Sequence, residues 1–163
     1  MMKKEWRTPT RGQFTLNDMC SEIKKFVKDN KNSIYKITIG TDCQEHNHYF
    51  KFVTAIVVHR LNKGAQYYFK IEKKKHINSL RQKIMHESIL TLQYRELLNN
   101  KLSSFSKNYN IVIQPHVDIG ENGPTKKFIS EITGMFKGYG IEECAVIKPD
   151  SYAASSVANK HTK

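Results

Sequence analysis

Cysteine is scarce in this sequence: Cys20, Cys43 and Cys144 are far apart and odd in number. That argues against the disulfide framework that staples small secreted domains. No apolar run approaches the length of a membrane span. The basic opening, residues 1–7, is not followed by the apolar stretch of a signal peptide, so the expected compartment is the cytoplasm and no membrane is expected among the partners. There is no internal repeat and no long linker, so residues 1–163 read as one domain with its own core. The glycines of residues 120–123 fit neither a Walker loop nor a dinucleotide loop. Acidic residues are the other shortage, 15 against 27 Lys and Arg, which leaves a net charge of +12. A surplus of that sign favours a polyanionic partner, nucleic acid before an acidic membrane surface, although a lysine-rich composition alone can produce it.

What is present is a globular α/β pattern. Residues 1–14 read as an irregular arm and residues 15–30 as an amphipathic helix, capped by Thr15 or Asn17, with Leu16, Met19, Cys20, Ile23, Phe26 and Val27 at helical spacing. Tyr35, Ile37, Ile39, Thr41 and Cys43 alternate with Lys36, Thr38, Gly40 and Asp42, the period of a strand. Two further strands, 49–60 and 66–72, follow across short turns and form an antiparallel meander with the first. A long helix over 77–99, a polar loop, a fourth strand over 111–119, a helix over 125–137, a short fifth strand over 143–148 and a last helix opened by Pro149-Asp150-Ser151 complete the chain. This order predicts a mixed sheet with helices on its faces, the fourth strand lying parallel beside the first.

Three acids stand out against that frame. Asp42 ends the first strand just past Gly40, where a missing side chain leaves room for something to approach the backbone. Asp118 repeats the arrangement at the end of the fourth strand, so two parallel neighbours carry acids to one sheet edge, the place where open α/β sheets bind ligands. Glu87 falls near the middle of the apolar stripe of the long helix, formed by Ile77, Leu80, Ile84, Leu90, Tyr94, Leu97 and Leu98. A buried carboxylate there needs a lysine, a set of hydrogen bonds or a cation. Taken singly, Asp42 and Asp118 read as turn aspartates and Glu87 as half of an ion pair. Taken together they repel unless a divalent ion neutralises them, and hard oxygen donors suit Mg2+ or Mn2+.

These residues also carry a resemblance. Ile39-Gly40-Thr41-Asp42-Cys43-Gln44, His116-Val117-Asp118-Ile119-Gly120 with Asn122-Gly123, Gly134-Met135 and Lys148-Pro149-Asp150-Ser151-Tyr152-Ala153-Ala154-Ser155 resemble the YkuK family of ribonuclease H-like proteins. The resemblance implies a five-stranded mixed sheet of order 3-2-1-4-5 with strand 2 antiparallel and helices on both faces. It further implies a metal-dependent nuclease that hydrolyses phosphodiester bonds of RNA, DNA or a hybrid by a two-metal-ion type mechanism. Asp42, Glu87 and Asp118 would be the metal ligands. Such sites generally take a fourth acid from the last helix, where this chain has Asn159; Asp150 is the substitute candidate, though a helix-capping role explains it equally. Cys43 stands where the family usually has serine. The departure at Asn159 leaves a second reading open, a nucleic-acid-binding module that has kept the fold and lost the chemistry.

The remaining candidates surround that edge. His116 shares a strand face with Asp118 and could move a proton or orient a water, or be a hydrogen-bonded histidine of the sheet. Lys73, Lys74 and Lys75 before the long helix, Lys126 and Lys127 at a helix start and Lys160 in the last helix could grip phosphates, or be solvated surface. Tyr67, Tyr68 and Phe69 could stack bases, though aromatic strands are usually core. Cys43, His46, His48 and His116 match no standard zinc spacing, and Cys43 lacks the companion base of a nucleophile.

Overall fold

A computed structural model describes residues 2–141 and 146–163 of the chain. In chain order the elements are β1 (Trp6–Arg7), β2 (Gln13–Phe14), α1 (Leu16–Lys28), β3 (Tyr35–His46), β4 (Tyr49–Arg60) and β5 (Ala65–Lys74). Then come α2 (Leu80–Ser106), β6 (Ile111–His116), α3 (Ile129–Gly138), a π-helical stretch (Ala153–Ala158) and α4 (Asn159–Thr162). No described helix is long and apolar enough to cross a membrane.

The alternating residues of β3, β4 and β5 form the expected antiparallel meander, and β6 lies parallel to β3. The sheet differs from the expected five strands: among the described residues it has six, in the order β2-β1-β5-β4-β3-β6. The two additions come from the arm expected to be irregular, where Trp6 pairs with Lys70 of β5 and with Phe14 of β2. Strands of two residues have no period for a sequence to display. They are held by Trp6, which is buried and edge-on to Tyr94 with ring centroids 5.1 Å apart. The expected fifth strand falls partly on residues 142–145, outside the described residues. Of its remainder, Val146 makes one parallel bridge to His116.

Helix limits also shift. The capping box of Thr15 and Asp18 starts α1. Ser79 caps α2 at Leu80, and the helix runs on through the expected polar loop to Ser106. Ser103 and Ser106 donate their hydroxyls back to carbonyls of the preceding turn, and Leu102 is fully buried, so these residues stay helical. Leu80 and Leu97, expected on the inward stripe, are 38% and 37% exposed. Ile84, Leu90, Tyr94 and Leu98 of that stripe are buried as expected, together with Glu87, Ser88, Thr91 and Leu102. The helix expected over 125–137 divides into a 3-10 turn (Lys126–Phe128) and α3. The last helix is π-helical before it is α-helical, with no side-chain cap from Asp150.

Helices α1 and α2 pack on one sheet face around Met19, Ile23, Tyr35, Ile37, Ile39, Phe52, Ile56 and Leu98. The C-terminal stretch covers the other face, where Ala158 meets Val53, Ala55 and Phe69. Between them, α3 closes a smaller core against Val117 and Ile119. The odd residues of β3 therefore face α2, while Thr38, Gly40 and Gln44 face the C-terminal stretch. The Thr38 hydroxyl donates to Tyr152 Oη at 3.2 Å, and Thr162 donates to Gln44 Oε1 at 3.3 Å. At Gly40 the room left by the missing side chain is filled by the chain itself. A Cβ there would lie 2.8 Å from Ala153 C and from Ala154 Cα, and closer still to Ala154 N. Backbone cannot step aside as a side chain can. Gly40→Ala is therefore expected to cost about 1–3 kcal/mol or more by overpacking. The expected result is a lower thermal midpoint with earlier proteolytic cutting within residues 150–163; an unchanged midpoint would contradict this packing.

Candidate functional site

The parallel register brings the two aspartates level. The last rung between β3 and β6 joins Gly40 to His116, and Asp42 and Asp118 each follow that rung by two residues. β6 ends at His116, short of the expected Ile119, so Asp118 sits on the segment that leaves the sheet while β3 runs on to His46. Beyond the rung β3 has no described neighbour strand on this side, which opens a notch beside Asp42.

Glu87 is set by a chain of hydroxyls. Thr91, one turn further along α2, donates to Thr41 Oγ1 at 3.0 Å, and Thr41 shares a 2.9 Å hydrogen bond with Thr54 of β4. All three threonines are buried, so the pins are not exchanged with water. They fix α2 against β3 one residue before Asp42, and one turn back along the helix Glu87 faces the same edge.

The electrostatics report that convergence. Burial pushes the Asp42 carboxyl up to about 6, with the charge of Asp118 adding to it. Burial also holds Glu87 well above the usual carboxylate range, with Lys83 pulling down and Asp42 and Asp118 pushing up. The backbone N–H of Cys43 favours the ionised form of both. Two lysines supply the compensation. Lys83 Nζ lies 3.8 Å from Glu87 Oε1 one turn away on α2, the buried-pair alternative raised by the sequence, and Lys148 Nζ lies 2.9 Å from Asp118 Oδ1. Neither contact satisfies its oxygen: among the described residues, the buried Glu87 Oε1 and Asp118 Oδ1 have no hydrogen-bond partner of proper geometry. Orphaned carboxylate oxygens with hard donor character fit a divalent cation. Among the described residues, however, no group of three His, Cys, Asp or Glu side chains stands ready-made to hold a metal ion. The donor chemistry fits; the arrangement is held by lysines.

A family model described as ribonuclease H-like matches residues 18–163. The chain belongs to the ribonuclease H-like family. It is 38% identical over 161 residues to a Bacillus subtilis (strain 168) protein named "Uncharacterized protein YkuK", covering 93% of this chain and 92% of that one. No solved structure matches it.

The other candidates of this ribonuclease H-like chain divide. His116 is fully buried. Its Nδ1 accepts the Ala153 N–H at 3.1 Å, its ring meets Tyr152 edge-on, and burial lowers its pKa to about 4. The neutral ring therefore carries its proton on Nε2, which has no partner among the described residues. Asp150 and Asn159 are both exposed, and Asn159 Oδ1 lies 3.5 Å from the Thr162 hydroxyl. Neither is among the leading charges or hydrogen bonds that act on Asp42 and Glu87. Cys43 is buried with its thiol pushed up to about 12, first by burial and then by Glu87, so it is no nucleophile. His46 contacts Thr162 O, His48 is exposed, and these residues do not gather into a zinc site.

Lys73, Lys74, Lys75, Lys126, Lys127 and Lys160 are all exposed. Lys73 lies level with Lys51 of β4 and Gln44 of β3, just past Asp42 at the same sheet end. Lys74 is near enough to His86, the neighbour of Glu87, to depress its pKa after burial has done so. The aromatic strand is not free to stack bases: Tyr68 is buried, and Phe69 is stacked on His161 with centroids 3.8 Å apart. Sequence reasoning passed over Lys83, Lys148 and the three threonines. The spacing of four between Lys83 and Glu87 was a usable signal. Lys148 opens one of the motifs that carry the resemblance, but its reach to Asp118 comes only through the fold.

A pH dependence follows. A carboxyl whose pKa is raised on folding stabilises the fold below its unfolded pKa and loses that contribution as pH rises through the folded value. For Asp42, 7% exposed, the window runs from 3.8 to about 6 and corresponds to on the order of 3 kcal/mol. Without added metal, Asp42→Asn is therefore expected to be more stable than wild type at pH 7.5, with the advantage shrinking to nothing near pH 4. Denaturant unfolding across that range checks it, and an advantage independent of pH would contradict the assignment.

Proposed function

We propose that this chain is a metal-dependent nuclease that hydrolyses phosphodiester bonds of nucleic acid, with Asp42, Glu87 and Asp118 holding Mg2+ or Mn2+. What supports the reading is that carboxylates from β3, α2 and the segment after β6 stand near enough for Glu87 to feel both aspartates and for Asp42 to feel Asp118. Asp118 adds to the cost of ionising Asp42, both aspartates add to that of Glu87, and among the described residues Glu87 Oε1 and Asp118 Oδ1 are buried without hydrogen-bond partners. Isolated acids in a fold are commonplace; buried acids assembled against their own repulsion call for an external positive charge.

When bound, such an ion supplies a Lewis acid and a lowered pKa for attacking water. The chain's own residues supply the rest. Asp42 and Glu87 present oxygens from a rigid strand and a pinned helix, so the donor positions do not depend on loop order. His116, neutral and buried, acts as a positioning residue: it holds Ala153 and with it the stretch lying on Gly40, and moves no proton to solvent. Lys73, Lys74 and Lys75 lie at the sheet end carrying Asp42, and with Lys126, Lys127 and Lys160 they draw a polyanionic backbone toward an acidic centre that would otherwise repel it.

One observation favours a second reading, a nucleic-acid-binding protein with a degenerate site. Asn159 brings no charge where a fourth acid is expected, and Asp150, its substitute candidate, is exposed. The two readings part in one experiment. With Mn2+ or Mg2+ and labelled RNA, DNA and hybrid substrates, the nuclease reading expects cleavage that falls by about a hundredfold or more in Asp42→Asn, Glu87→Gln and Asp118→Asn, since even outer-shell changes at metal sites cost 10–100-fold. Salt-sensitive binding without turnover in wild type, surviving all three substitutions, would favour the second reading. A metal dependence of stability is expected as well. Mn2+ should raise the thermal midpoint at pH 7.5 and progressively less below about 6, where the carboxyl of Asp42 holds its proton.

A further inference from the structure

Lys148 is built to reach the acid edge and to leave it. Its N–H donates to Ile119 O at 2.8 Å, which fixes its backbone beside the segment that carries Asp118. Its stem runs over Gly120, where an added Cβ would come within 3.0 Å of Lys148 Cβ, so the bare glycine sets the path of the side chain. The ammonium ends 2.9 Å from Asp118 Oδ1, yet among the described residues that oxygen has no properly aligned hydrogen bond. The side chain is 45% exposed and forms one wall of a cavity of about 480 Å³, together with Gly120, Glu121, Asn122, Ile147 and Pro149. A lysine on a flexible stem can therefore turn from Asp118 into open space without disturbing the core.

Lys83 differs. It lies on the same helix as Glu87, one turn away and 3.8 Å distant, and moves with it. If all three acids ionise, the two ammoniums leave one negative charge uncompensated. A divalent ion added while both lysines stay would reverse the sign, whereas one lysine turning out restores neutrality. Of the two, Lys148 is the more exposed, 45% against 31%, and it stands on a different segment from its acid, which makes it the readier to turn. Glu87, 4% exposed with an unpartnered Oε1, is the independent sign that a further cation belongs at this edge.

We propose that Lys148 is the stand-in counter-ion of Asp118 in the metal-free protein, displaced by the divalent cation, and that its freed ammonium then grips a phosphate of the nucleic acid lying over the adjacent cavity. The inference rests on the reading of Asp42, Glu87 and Asp118 as ion ligands. It predicts an exchange: the same side chain opposes metal in the empty protein and helps bind substrate in the loaded one.

Calorimetric titration with Mn2+ alone tests the first half. Lys148→Gln, and Lys148→Met, which keeps an apolar stem over Gly120, should bind Mn2+ about fivefold tighter than wild type, the worth of a partly exposed ion pair. Lys31→Gln, which removes an exposed charge outside the site, should match wild type. Equal or weaker binding by both Lys148 variants overturns the inference while leaving the ion site standing. No Mn2+ binding by any of the four proteins overturns both. The second half is read from the salt dependence of binding to labelled polyuridylate. With Mn2+ present, the slope for Lys148→Gln should be shallower than wild type by about 0.7, one phosphate contact on a single strand, and without Mn2+ the two slopes should coincide. Slopes that coincide in both conditions overturn the phosphate role.

Discussion

The repulsion among Asp42, Glu87 and Asp118 is the constraint on which this end of the molecule turns. Desolvation is the larger share of the cost for Asp42 and Glu87; Asp42 also feels Asp118, and Glu87 feels both aspartates. Ordinary folding would scatter such groups or exchange one for an apolar side chain. Here they are kept together by elements distant in sequence, and two lysines offset part of the charge. An edge that is acidic at its centre and basic at its margin suits a metal ion and a phosphate backbone at once, since the ion neutralises what the lysines attract.

The scaffold holds the acids by contacts that are themselves dry. The hydroxyl chain Thr91–Thr41–Thr54 ties α2, β3 and β4 together behind Asp42 and Cys43. On the other face, the C-terminal stretch lies directly on Gly40, with its first turn held by the buried imidazole of His116. Thr162 then fastens the end of the stretch to Gln44. Asp42 sits between these fixings, so its position is determined from both faces of the sheet. The same packing removes Phe69 from any role in stacking bases, because His161 already covers it.

Much of this was legible in the sequence because it is periodic. Alternation in residues 35–43 located β3, the helical spacing of residues 16–27 located α1, and the glycine before Asp42 marked a close approach. The parallel pairing of β6 with β3 followed from chain order, and with it the level placement of Asp42 and Asp118. What escaped has physical reasons. Two-residue strands have no period, so β1 and β2 were invisible until Trp6 found Tyr94. Serines that bond back into their own helix look like loop, so α2 was read too short. The occupant of the space at Gly40, and the reach of Lys148 to Asp118, are contacts between segments far apart in sequence, and no local pattern encodes them.

The most direct test of the central claim is a crystal of the protein soaked in Mn2+ and measured at the manganese absorption edge. The account predicts anomalous density among the carboxylates of Asp42, Glu87 and Asp118, with the Lys148 ammonium drawn away from Asp118. Manganese found only elsewhere, or no manganese at this edge with both lysines still on their acids, would contradict it.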